Sequence, residues 1–378
     1  MNFNLSKKII PLSLAAILAC PSSTNQSYAS SSLLNSVAKP YFTYSNIDCN
    51  NQESDVHPLY FKIKQFLSKS SKKKRKMFPS KEWEMIALSH ISEGLANYSF
   101  CHPSQKKEVH QLIEQIVQET TTNLSPYPSP LQITSLSEHG LYLTHLNIIL
   151  ASYQQIAQDK KYLPLQQKVS TYLAQETISD PQKHVRSYKD LPHKWPADQS
   201  ATLYSIWLFD QQNKTTLSTK PIAEWLNYMD TNATDPKTHL PYSNITGKHN
   251  GKIPRGCALS WSIRYISFFA PTQAKQLWSN YKKSHYESGF FISGFREFPT
   301  GITRESDSDS GPIVRGIGVA ASGFALPASK VMHDRSTYHA LENTRTLAET
   351  ALEYSGQKKQ VNPMMATSID FYTAALPL

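Results

Sequence analysis

The chain has 378 residues, 39% hydrophobic and 11% aromatic, enough to bury a large core, which excludes a disordered polymer. Only 13 residues are glycine, a low share that tilts the reading toward helix. A formal net charge of +10 suits an anionic surface or polymer, while the lack of a recognisable binding motif argues against nucleic acid.

The first 29 residues read as an export signal. Lys7 and Lys8 form a basic lead, and Ile9 to Ala19 is an apolar run too short to be a convincing membrane span. Two endings compete. Ser27-Tyr28-Ala29 allows cleavage before Ser30, and Ile17-Leu18-Ala19-Cys20 has the form of a bacterial lipobox with Cys20 lipidated, although Leu18 is bulky for that motif. Either ending places the protein in the periplasm or cell envelope, with membrane anchoring through Cys20 in the second case. Loss of residues 1–29 removes two lysines and no acids, so the charge falls from +10 to +8. Residues 30–378 read as one domain with an N-terminal arm over 30–55.

In an oxidising compartment Cys49 and Cys101 are expected to pair, closing a loop of about 50 residues that contributes at best about 4 kcal/mol. Cys257 is left over, as a small buried hydrophobe or a pocket thiol. No C-x-x-C or H-E-x-x-H spacing occurs, so neither a metal site nor a cofactor is expected. The run "KSSKKKRK" (69–76) carries six positive charges in eight positions and reads as a solvated linker, or else as a contact with anionic lipid or glycan.

Apolar spacing of three and four predicts helices near 56–69, 79–99, 104–122, 135–157, 162–177 and 197–212, then near 219–231, 255–269, 271–285, 312–333, 336–355 and 363–376. Breakers such as Phe78-Pro79, Ala270-Pro271 and Gly311-Pro312 mark boundaries, and Ser135 with Glu138 has capping-box spacing. Strand-like sequence is confined to loops such as "GFFISGFREFP" (289–299). Twelve helices with short connections predict an all-α fold, an (α/α)6 toroid whose even-numbered helices form the inner ring. Their starts would meet on one face and bring together Glu82, Glu84, Glu138, His139, Trp195, Asp198, Arg255, Asp307, Asp309 and Asn362. Helix N-termini carry free amides and a positive dipole end, which favour carboxylates there. Asp309-Ser310-Gly311-Pro312 reads as the cap of the tenth helix. The small residues Gly316, Gly318, Ala320, Ala321, Ser322 and Gly323 follow as a slender helix surface.

Four stretches carry a resemblance: "WPADQSATLYSIWLFD" (195–210), "IPRGCALSWSIRYI" (253–266), "GFREFP" (294–299) and "DSDSGPIVRGIGVAASGF" (307–324). Across roughly 135–376 the chain resembles exported bacterial proteins similar to the linalool dehydratase-isomerase-like family. That resemblance implies the toroid fold; no catalytic role is carried over from it.

Two carboxylates across a pocket divide acid and base roles when their surroundings push their pKa values apart. Asp198 and Asp309 are the candidates, with Glu297 a third acid and His139 a proton carrier. Trp195, Trp261 and Tyr142 offer flat faces for a sugar or an apolar ligand, and Arg255 and Arg264 offer guanidinium groups for a substrate anion. Three classes of function stay open: a glycan-active hydrolase or lyase, a hydro-lyase or isomerase on a small alcohol, and a non-catalytic envelope or binding protein. An open aromatic cleft favours the first, a closed apolar cavity the second.

Overall fold

The computed structural model describes residues 49, 55–129, 138–157, 159–247, 252–289, 292–355 and 363–376, with the side chains of 349–355 left aside. The stretch expected as an export signal, most of the expected N-terminal arm, Ser135 and Asn362 lie outside these residues.

Thirteen α-helices occur among the described residues. In chain order they are α1 (Val56–Leu67), α2 (Ser71–Arg75), α3 (Lys81–Cys101), α4 (Lys106–Thr122), α5 (Gly140–Ile156) and α6 (Leu163–Ser179). There follow α7 (Pro196–Asn213), α8 (Thr219–Asn232), α9 (Gly256–Phe269) and α10 (Pro271–His285). After two small hairpins come α11 (Val319–Val331), α12 (Arg335–Ser355) and α13 (Pro363–Ala375). The first hairpin pairs β1 (Tyr286–Ser288) with β2 (Ser293–Phe295), and the second pairs β3 (Ile313–Val314) with β4 (Ile317–Gly318).

Helix packing closes a ring. Each of α3, α5, α7, α9, α11 and α13 packs on the next, and α13 returns to α3. The other long helices lie outside: α4 on α3 and α5, α6 on α5 and α7, α8 on α7, α10 on α9, α12 on α11, and α1 on α13. This is an (α/α)6 toroid.

Composition follows position. The inner α3 is buried without a break from Glu84 to Ser99, and α5 from Gly140 to Tyr153. Such helices have no solvent face, so they are not amphipathic, and their polar residues bond inside the barrel. Thr144 meets Thr202 at 2.7 Å, and Asn147 donates to Ser170 at 3.0 Å and Ser205 at 3.1 Å. The outer α4 instead buries Val109, Ile113, Ile116, Val117 and Thr120, the three-and-four spacing of a one-sided helix.

Cys49 and Cys101 are joined, with Cα atoms 5.3 Å apart, and Cys257 is buried and free. Two local expectations are corrected. The predicted helix from 312 starts only at Val319, because 313–318 form the β3–β4 hairpin; Arg315 (φ 53) and Gly316 (φ 89) make its turn, and an added Cβ at Gly316 would meet the Arg296 guanidinium at 2.5 Å. Gly316 and Gly318 therefore belong to the hairpin, not to a slender helix. The basic run is also no bare linker, since its centre folds as α2 with Lys74 only 2% exposed and paired to Glu119.

Candidate active site

The starts of the inner helices gather at one end of the barrel, and the loop before α7 roofs part of it. Its backbone carbonyls of Arg186 and Ser187 accept the amides of Gly140 (2.8 Å) and Leu141 (3.2 Å), two donors that α5 itself leaves free. The approach is so close that a Cβ at Gly140 would lie 2.5 Å from the Arg186 oxygen. Gln199 fixes the same loop by accepting from Val185 N at 2.8 Å and donating to Thr177 at 3.0 Å.

That loop sets Tyr188 and Trp195 beside Asp198, in the first turn of α7. The Tyr188 and Trp195 rings meet edge to face at 5.6 Å, and His193 lies 5.3 Å from Trp195. Burial pushes the Asp198 carboxyl up to about 7; a hydrogen bond with Ser187 opposes the rise, and the charge of Asp309 adds to it. Asp309 is reached by solvent yet walled by protein, and burial followed by the Asp307 charge raises its pKa too. Burial raises the Tyr188 hydroxyl, and the charges of Asp198, Asp309 and Glu82 raise it further. Half-buried His139, at the start of α5, stands 5.1 Å from the Tyr127 ring, and burial lowers its pKa, leaving it neutral near pH 7.

Arg255 and Glu297 are engaged with each other and with the loop around Asp307. Arg255 is 8% exposed and donates to Glu297 Oε1 (2.7 Å) and Asp307 Oδ1 (2.8 Å). Glu297 is 0% exposed and closes the start of α9: its backbone carbonyl accepts from Gly256 N (2.8 Å), its Oε2 from Cys257 N (3.2 Å), and its Oε1 from the Cys257 thiol (3.0 Å). Asp307 ties the turn together: its Oδ1 accepts from Asp309 N (3.1 Å) and Ser310 N (2.9 Å). The chain Glu297–Arg255–Asp307 therefore anchors the loop that presents Asp309.

Three other candidates are placed elsewhere. Tyr142 is buried and donates to the Thr120 carbonyl at 3.0 Å. Arg264 lies at the barrel centre, 2.5 Å from Glu93, between the rings of Tyr265 (4.2 Å) and Tyr372 (3.9 Å). Trp261 sits just above it, packed on His90 at 5.4 Å and His145 at 5.8 Å, with its indole N–H unpartnered. It closes the barrel beneath the mouth. Tyr188 was missed in the sequence; its position seven residues before Trp195, in the loop leading to an acid-bearing helix start, was the available signal.

Further down, toward the C-terminal ends of the inner helices, Glu93, Asn97, Gln155, Tyr204 and Tyr372 line a cavity of about 10 Å³, room for a single water. It cannot take a sugar ring. Among the described residues, no group of three or more His, Cys, Asp and Glu could hold a metal, and no helix is long and apolar enough to cross a membrane.

No family model matches the sequence, and no curated protein matches it. Among solved structures, the chain is similar to a family 76 glycoside hydrolase from a bovine Bacteroides thetaiotaomicron strain, at 12% identity and a TM-score of 0.48. The match covers 78% of this chain and 68% of that one.

Proposed function

We propose that the protein is an exported glycan-active hydrolase in which Asp198 and Asp309 share the acid–base work. The observation that supports the reading is the setting of Asp198: its carboxyl is raised by burial and further by the Asp309 charge, and the edge-to-face pair of Tyr188 and Trp195 stands in the loop leading to its helix. Asp198, held protonated near neutrality, donates its proton to the glycosidic oxygen as the bond from that oxygen to the anomeric carbon breaks. Asp309, the carboxylate nearer solvent, takes a proton from a water whose oxygen bonds to that carbon. Exchange with solvent returns both groups to their starting states. The solvent-reached Asp309 and half-buried aromatic faces suit a polyhydroxylated chain better than a small apolar alcohol, for which a closed cavity is needed. The export signal and the Cys49–Cys101 bond agree with work outside the cytoplasm.

The test is turnover on a panel of oligosaccharides and small tertiary alcohols. Asp198→Asn and Asp309→Asn should each lower kcat by roughly 100-fold or more, with the fold retained. In wild type, activity should fall as pH rises through about 7, where Asp198 loses its proton. Wild-type turnover in both variants would remove the assignment, and turnover only on the alcohols would turn it toward a hydro-lyase.

A further inference from the structure

We infer that the substrate is a polyanionic glycan, a polymer carrying carboxylate, sulfate or phosphate groups, gripped by a cationic ledge built on α2 beside the mouth; this rests on the glycan-active reading above. The ledge is made, not left over. Lys74 turns inward and donates to Glu119 Oε2 at 3.2 Å; Ser71 donates to the same oxygen at 2.8 Å, and Asn123 donates to Ser71 at 3.2 Å. Arg75 donates to the Phe78 carbonyl at 3.0 Å. These contacts clamp α2 onto the last turn of α4 and leave Lys72, Lys73 and Lys76 exposed, with Lys81 exposed just beyond. Among the described residues, none of these four lysines reaches a carboxylate within salt-bridge distance.

Lys76 stands four residues after Lys72 and three after Lys73, a spacing at which like charges on a helix repel, and a solvated linker would relax by spreading them. Here the fold opposes that relaxation with a buried ion pair and presents a fixed row of uncompensated cations. Each exposed contact is weak, but several aligned against one polymer add and are strong at low salt. The ledge borders the site: Lys81 adjoins Glu82 in the first turn of α3, whose charge reaches Tyr188, and the segment that follows α4 carries Tyr127 beside His139 at the start of α5. A membrane surface fits less well, because among the described residues no large hydrophobic side chain is exposed between Ser71 and Lys81.

The experiment measures binding of the mature chain to alginate, dextran sulfate, neutral dextran and phosphatidylglycerol vesicles at low and high salt. Lys72→Gln/Lys73→Gln is compared with a control of equal charge, Lys106→Gln/Lys107→Gln, at the opposite end of α4. At low salt the ledge variant should bind one or both polyanions on the order of tenfold more weakly, while the control matches wild type and high salt abolishes the difference. Equal weakening of both variants, neutral dextran binding as tightly as the polyanions, or a loss confined to vesicles would overturn the inference. Polyanion binding of this pattern without cleavage of any glycan by wild type would sink the hydrolase reading alone. Equal cleavage of a neutral glycan by wild type and ledge variant, with no polyanion bound, would sink the ledge alone.

Discussion

The mouth of the barrel and its centre both hold buried charge, and they treat it in opposite ways. At the centre the Glu93 carboxylate receives Arg264 at 2.5 Å and the Tyr204 hydroxyl at 2.8 Å, and two tyrosine rings cover the guanidinium. His90 and His145 beside it are held neutral, first by burial and then by the Arg264 charge, with His145 brought down to about 3. At the mouth Asp198 has Ser187 and no cation, so burial moves its pKa instead. The difference teaches how to separate charge that holds a fold from charge that is kept ready to move a proton. A compensated group resists titration, whereas an uncompensated one is brought to the pH at which it exchanges.

The sharpest way to break this comparison is to remove compensation at the centre. Arg264→Met leaves Glu93 charged and unpaired inside the barrel, and should lower stability by about 3–5 kcal/mol. Arg264→Met/Glu93→Leu should recover most of that loss, because an apolar pair of similar volume requires no desolvated charge. Denaturant midpoints decide it: a single variant as stable as wild type would show that the pair is not what holds the centre.

A third buried acid extends the contrast to the edge of the mouth. Glu84 is 0% exposed, neither of its carboxyl oxygens has a hydrogen-bond partner, and burial followed by the Glu119 charge raises it to about 7 from 4.5. Between those two pH values the unfolded chain releases this proton and the folded chain keeps it, so stability falls as pH rises through the window. Glu84→Gln escapes that fall. It should be about 3 kcal/mol more stable than wild type above pH 7, and no more stable below pH 4, as read from chemical denaturation at the two pH values. An equal gain at both would mean that packing, not ionisation, is responsible.

Much of this architecture is legible in the sequence. Helix spacing, breakers such as Ala270-Pro271 and a count of twelve helices with short connections give the ring and its outer layer, most of the boundaries within a few residues. The start of α11 is not legible, because a six-residue hairpin such as 313–318 is too short for its alternation to stand out against helical spacing. Of the candidate site, Asp198 is legible as an acid in the first turn of an inner helix, whereas Asp309, expected at the cap of the tenth helix, stands ten residues before the observed start of α11. The commitments of Arg255 and Arg264 could not, since each depends on a distant acid: Glu297 and Asp307 for the first, Glu93 for the second. An arginine beside a helix start reads the same whether it awaits a substrate or already holds a neighbouring loop. Tyr188 was hidden for a related reason, as the acids whose charges reach it come from distant parts of the chain.

The smallest expected effect tests the mouth itself without any substrate. Asp198 is half-buried and raised from 3.8 to about 7, so its ionisation opposes folding between those values. The sign is the same as for Glu84: the folded state binds the proton more tightly, and stability falls as pH rises through the window. Solvent at the mouth screens the charge, so the penalty is well below the full shift, about 1 kcal/mol. Asp198→Asn should therefore be slightly more stable than wild type above pH 7 and equal to it, or slightly weaker through its altered bond with Ser187, below pH 4. Paired thermal melts at the two pH values suffice. A variant that is less stable at both would show that the carboxylate serves chiefly to tie Ser187 to the helix start. A gain confined to high pH, together with lost turnover, is the pattern of a group held against its own solvation for the sake of chemistry.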